Sequence, residues 1–265
     1  VAAEVSLEAR HWPGGRPPFL LVHGLASNAR LWDGVAARLN AAGHRVVAVD
    51  QRGHGQSDKP DHGYDFATVT ADLVALIDAL DLAPAVAAGQ SWGGNVVLEL
   101  AHRYPDRLLG VACVDGGTIE LSRALPEWED AATALAPPQL AGTPAAEIES
   151  YMRRAHADWP PEGIDGALAN FEVLADGTVT PWLTRARHML ILRELWTHRP
   201  PLLYPELKVP VLLVGASERY PLSEALESIP RSRGLRIDAD HDIHAQKPDV
   251  VARLLLDAVG DGFFS

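Results

Sequence analysis

The residues of this 265-residue chain best suited to chemistry begin at Gly89-Gln90-Ser91-Trp92-Gly93. A serine hydroxyl is a weak nucleophile until a base takes its proton and nearby dipoles hold the developing oxyanion. An apolar, strand-like run precedes this string and helical spacing follows it, so the chain must turn sharply at Ser91. Only small residues fit two positions before and after such a turn, and Gly89 and Gly93 stand there. The serine is forced into strained geometry with its hydroxyl exposed. A helix starting directly behind it aims backbone N–H groups and a positive dipole end at the site. The chemistry this predicts is nucleophilic acyl transfer.

Two further strings can support it. Oxyanion stabilisation needs two convergent N–H donors, each worth roughly 3 kcal/mol of barrier. Trp92, after the nucleophile, supplies one. Leu25, after His23-Gly24 in Val22-His23-Gly24-Leu25, supplies the other. His23 is expected to hold that loop by hydrogen bonding and not to react. The third string is Asp50-Gln51-Arg52-Gly53-His54-Gly55-Gln56-Ser57-Asp58, whose glycines permit sharp turns and whose charges can bond the loop internally. Asp50, His54 and Asp58 make a poor metal set, since no cysteine or second tight histidine cluster supports them.

The elements that must position these residues follow from hydrophobic spacing. Residues 19–22, 45–49, 85–88, 109–114 and 211–214 read as buried strands. Residues 29–41, 66–80, 93–104 and 249–259 carry helical spacing, with Val69, Leu73, Leu76, Ile77 and Leu80 on one face and Pro105 ending the helix behind Ser91. Such alternation predicts an α/β fold, a mostly parallel sheet flanked by helices. It breaks within 120–203, a proline-rich stretch of helical fragments with no good strand. Residues 1–119 and 204–265 are expected to form the core, and 120–203 an inserted helical cap over the C-terminal edge of the sheet. Four of seven tryptophans, Trp128, Trp159, Trp182 and Trp196, fall in that cap. They suit an apolar pocket, although each one could simply hold the cap together.

Hydrophobic residues make up 47% and charged residues 22%, which is ordinary globular composition. A net charge of −12 disfavours nucleic acid and anionic membrane surfaces as partners. No apolar run approaches the ~20 residues of a membrane-spanning helix. Cys113, the single cysteine, sits in an apolar run and reads as a buried structural thiol. The absence of any possible internal disulfide suits a reducing cytoplasm, and the first residues lack a signal-peptide pattern.

Together, the three motifs in this order and spacing resemble the α/β-hydrolase superfamily, in its cap-bearing branch, most closely the serine esterases and lactonase-like hydrolases of bacteria. The resemblance covers essentially the whole chain and is weakest in the cap. It implies a catalytic histidine seven residues before a proline opening the last helix, which selects His241 over His244 and leaves His244 a packing or hydrogen-bonding residue at the start of that helix. The resemblance offers two places for the acid. Asp115 ends the strand after the nucleophile helix, and Glu218 follows the strand at 211–214. Asp115 is preferred because Gly215-Ala216-Ser217-Glu218-Arg219 departs from the family pattern and Arg219 could pair with Glu218. Ser91 stands where dehalogenases and epoxide hydrolases of the superfamily place an aspartate, and Leu25 offers no halide-binding side chain. The implied reaction is hydrolysis of a small hydrophobic ester or lactone through an acyl-enzyme, with no metal or organic cofactor. Carbon–carbon bond hydrolysis, amide hydrolysis, perhydrolysis and a small-molecule receptor role are the rival readings. Arg185, Arg187 and His188 could face an anionic substrate group, although a solvated helix face is the simpler expectation. Oligomeric state is not readable.

Overall fold

The computed structural model describes residues 5–216 and 221–265. The strands, in chain order, are β1 (Ala9–Trp12), β2 (Arg16–Val22), β3 (His44–Val49), β4 (Ala85–Gln90), β5 (Leu108–Val114), β6 (Phe171–Val173), β7 (Val179–Pro181), β8 (Val211–Gly215) and β9 (Ser232–Arg236). The helices are α1 (Asp33–Ala41), α2 (Phe66–Ala79), α3 (Trp92–Arg103), α4 (Leu121–Ala124), α5 (Trp128–Ala134), α6 (Ala145–Ala155), α7 (Pro161–Leu168), α8 (Arg185–Thr197), α9 (Ser223–Ser228), α10 (Ile243–Gln246) and α11 (Pro248–Gly260). Seven strands form one sheet in the order β1-β3-β2-β4-β5-β8-β9. Every pairing in it is parallel except β1 with β3. The expected mostly parallel sheet, with helices on both faces, is what forms.

Successive side chains of a strand face opposite ways, so a strand covered on both sides is apolar throughout. In β2, Leu20 and Val22 join Leu73 and Ile77 of α2 and Val96 and Leu100 of α3. Phe19 and Leu21 face the other way, onto Leu39 of α1 and Leu255 of α11. All four β2 side chains are fully buried, each worth about 1.5–3 kcal/mol of transfer free energy.

All five expected strands and all four expected helices are present, with one refinement. Residues 29–32 form a 3-10 turn capped by the Asn28 side chain, which accepts from Arg30 N, before α1 begins. The edge strands β1 and β9 were not expected. Their sequences, Ala-Arg-His-Trp and Ser-Arg-Gly-Leu-Arg, are charged and half-exposed, as suits strands with an open side. The expectation of no strand within 120–203 is corrected by the β6–β7 hairpin. Its turn contains Asp176-Gly177, with Gly177 at φ +82°, a hairpin signal that strands of three residues left without a readable alternation around it.

The 120–203 stretch packs on loops beyond the sheet. Gly166 of α7 approaches the 29–32 turn so closely that a Cβ would lie 2.9 Å from Arg30 O and from Leu31 N and Cα. Asn28 Nδ2 donates to Gly166 O at 2.9 Å and to Asn170 Oδ1 at 2.6 Å. Leu31, Trp159, Ile164, Ala167 and Ala245 close a small apolar cluster between this stretch and α10.

Candidate active site

Parallel strands deliver their following residues to one edge of a sheet. Ser91 follows β4 and caps α3 with φ 53° and ψ −121°, a left-handed conformation costly for a residue with a side chain. The glycines around it are fixed by close approach. A Cβ on Gly89 would lie 2.0 Å from Gly93 O, and one on Gly93 would lie 2.4 Å from His23 O. Trp92 is the first residue of α3, where an amide has no carbonyl of its own helix to bond. Gly24 packs against the same turn, since its Cβ would stand 3.1 Å from Ser91 Cβ and 2.4 Å from Gln90 Oε1. This brings the Leu25 loop alongside Ser91.

His23 has the loop-holding place expected of it. Its ring is fully buried, with Nδ1 2.7 Å from Gly24 O, while Nε2 accepts from Gln51 N at 3.0 Å. The bond to Gly24 O requires the proton on Nδ1, and burial holds the pKa down to about 4, so the ring is neutral. Gln51 closes the clamp by donating Nε2–H to His23 O at 2.7 Å. The 50–58 string bonds partly within itself and partly to neighbouring loops. Asp50 accepts from Ala29 N at 2.7 Å and Gln56 N at 2.9 Å, Asp58 accepts from Ser6 N at 2.8 Å, and His54 Nε2 accepts from Ala26 N at 3.3 Å. These groups tie loops together.

Asp115 follows β5 with φ 44° and is 2% exposed. Its amide donates to Val214 O at 2.6 Å, and the neighbouring Ser91 amide donates to Val114 O at 3.0 Å. One carboxylate oxygen accepts from Ala216 N at 2.8 Å, and the other lies 2.5 Å from His241 Nδ1. The His241 side chain is 47% exposed, so the pair runs from a buried carboxylate to an accessible imidazole. A carboxylate at Nδ1 keeps the proton there and leaves Nε2 unprotonated. Glu218 lies outside the described residues. The backbone two residues before it, at Ala216, serves Asp115.

His244 is fully buried, 4.4 Å from the Trp32 ring centre, and burial pushes its pKa down to about 3. It packs, as expected. Two supports of His241 escaped sequence reasoning. Gln90 Nε2 donates to His241 O at 3.1 Å, tying the histidine loop to the residue before Ser91. From the 120–203 stretch, Trp159 Nε1 donates to Asp240 Oδ2 at 3.1 Å, and Asp240 N donates to Gln246 Oε1 at 2.6 Å. No sequence signal marks either tie beyond Gln90 lying inside the serine motif. Trp128 and Trp196 meet edge to face at 5.9 Å with Arg193 across both, so they hold their own segment together. Of the four, Trp182 alone lines the cavity beside Ala26 and Ser27.

That cavity has a volume of about 550 Å³ and lies between the 120–203 stretch and the loop carrying Ala26 and Ser27. Among the described residues no group of three or more His, Cys, Asp or Glu side chains is arranged to hold a metal ion. No helix among them is long and apolar enough to cross a membrane.

A family model for the alpha/beta hydrolase fold matches residues 17–154. The chain belongs to the alpha/beta hydrolase fold family. A 2-(acetamidomethylene)succinate hydrolase of Mesorhizobium japonicum is 29% identical over 251 residues, covering 91% of this chain and 87% of that protein. The crystal structure of an E-2-(acetamidomethylene)succinate hydrolase superposes with a TM-score of 0.81 at 26% identity, covering 97% of this chain and 96% of that one. The enol-lactonase of Burkholderia xenovorans shares the fold, with a TM-score of 0.72 at 23% identity over 98% and 99% of the chains. This alpha/beta hydrolase therefore has hydrolases as relatives, and those act on small molecules.

Proposed function

We propose that this alpha/beta hydrolase is a serine hydrolase that cleaves small carboxylic esters or lactones through an acyl-enzyme on Ser91. The observation that carries the reading is the 2.5 Å contact of Asp115 with His241 Nδ1, on a loop that Gln90 ties beside Ser91. His241 Nε2 takes the Ser91 proton as Oγ attacks the carbonyl carbon. The amides of Leu25 and Trp92 hold the oxyanion, and the α3 dipole favours the negative charge. As the intermediate collapses, His241 returns the proton to the leaving oxygen. It then activates a water that releases the acid. Asp115 stays ionised and steadies the imidazolium. Residues 120–203 act as a cap that walls the substrate cavity, and no metal or organic cofactor enters the scheme.

Labelling with a fluorophosphonate, followed by mapping of the modified residue, tests this. The label is expected on Ser91 and lost in Ser91→Ala, together with hydrolysis of p-nitrophenyl butyrate. A label elsewhere, or turnover by Ser91→Ala, overturns the scheme. A second reading has its own support. The 29%-identical relative is named for a substrate bearing an acetamido group, which favours an N-acyl substrate handled by the same acyl-enzyme chemistry. Comparing an N-acyl enamine with its ester counterpart separates the two.

A further inference from the structure

The chain carries 35 acidic residues against 23 lysines and arginines, yet no aspartate or glutamate lines the 550 Å³ cavity. Its walls are largely apolar, including Leu140, Met152, Phe171, Trp182 and Leu183. A single charged residue borders it, Arg185. Other arginines of the 120–203 stretch are committed elsewhere. Arg187 pairs with Asp61 at 2.9 Å, Arg153 with Glu149 and Arg123 with Glu224, while Arg193 lies across two tryptophans. Arg185 donates one Nη1–H to Pro137 O at 3.0 Å, and no carboxylate among the described residues lies within ion-pair distance of it. Deeper in the same wall, Ser27 and His188 are each 8% exposed, and neither Ser27 Oγ nor His188 Nδ1 has a protein hydrogen-bond partner. Burial holds His188 down to about 4, an effect the nearby Leu135 carbonyl offsets only in part, so the imidazole is neutral. Lys59 adds positive charge behind the wall, its Nζ 5.2 Å from the Trp182 ring centre.

Arranged this way, the cavity is an apolar chamber with one guanidinium at its rim and no competing anion. A guanidinium presents paired N–H donors that match a carboxylate, and the exposed Arg185 is open to one entering at the rim. We infer that Arg185 is a specificity-determining residue, binding a free carboxylate at the far end of an otherwise apolar acyl chain. The substrate class is then a monoester of a dicarboxylic acid, or a lactone that bears a free carboxylate, with Ser91 taking the acyl carbon and Arg185 the free carboxylate. This rests on the hydrolase reading above.

The test uses the intact protein and the mono-p-nitrophenyl esters of succinate, glutarate and adipate, with p-nitrophenyl butyrate as the neutral comparison. At least one acidic ester is expected to show a higher kcat/KM than the butyrate. In Arg185→Gln the acidic-to-neutral ratio should fall at least about tenfold, the scale of one charged hydrogen bond, while Arg185→Lys keeps part of it. A ratio unchanged within about twofold overturns the inference. A second readout is independent of turnover. The dicarboxylates themselves should raise the Tm of the wild-type and Ser91→Ala proteins with concentration, and not that of Arg185→Gln. Failure of all ester turnover would count against the acyl-enzyme reading. An equal Tm response with and without Arg185 would count against the carboxylate site alone.

Discussion

At the scale of single residues, the geometry sets one carboxylate against His241, and the proposed triad follows from it. Asp115 is buried, held by the Ala216 amide, and in contact with His241 Nδ1, the nitrogen that the proposed reaction leaves protonated. Removing its charge while keeping its shape lets Nδ1 lose its proton and puts the wrong nitrogen toward the serine. Asp115→Asn is therefore expected to lower kcat on p-nitrophenyl butyrate by about 10⁴-fold. Glu218→Gln should stay within a few-fold of wild type. Steady-state kinetics of both variants check this, and the reverse pattern would transfer the acid role to Glu218.

At the scale of elements, the histidine loop is gripped from two sides. Gln90 holds it from the sheet, and Trp159 holds it from the 120–203 stretch through Asp240. Trp159→Phe keeps the ring in its apolar cluster and removes only the indole N–H, a charge-assisted bond worth about 1–2 kcal/mol. A threefold to tenfold fall in kcat with little change in KM, roughly what a loosened general base would give, is the expected result. A change confined to Tm would make Trp159 a packing residue. The same elements show how far the sequence could be read. Strands with both faces covered, such as β2 and β4, carry unbroken apolar runs and were legible. The edge strands β1 and β9 bury little, so nothing in their residues separates them from loop. The β6–β7 hairpin is too short for alternation to register, and its Asp-Gly turn was the one available sign.

At the scale of the whole molecule, four buried histidines, His23, His54, His188 and His244, make stability depend on pH. His54 is held well below its ordinary value by burial and by the neighbouring His23. His23 and His188 are held down to about 4 and His244 to about 3, each chiefly by burial, against an ordinary 6.5. These groups stay neutral in the folded protein while the unfolded chain takes up protons below about pH 6.5. The unfolded state then binds more protons, so stability is full above that pH and falls as pH drops toward 4. His23 alone accounts for about 3 kcal/mol at full protonation, a large share of a typical stability. Thermal melts from pH 8 to 4 should show a steep decline in Tm beginning near pH 6.5. A flat profile to pH 4 would mean that these rings find proton acceptors in the fold.

By itself the sequence determined the sheet, its covering helices and the turn at Ser91. Those depend on local spacing and on glycines that nothing else can replace. The same spacing singled out Leu25 and Trp92 as neighbours of that turn, and the family resemblance added His241. Only the tertiary structure decided which carboxylate meets His241, because Asp115 lies 126 positions away and the contact is made by strand register. It also decided which tryptophans stack on one another and which one faces the cavity. The emptiness of that cavity of acidic side chains, with Arg185 at its rim, is likewise a property of packing. Chemistry that depends on one turn can be read along the chain, whereas chemistry between distant segments exists only once the sheet has brought them to one edge.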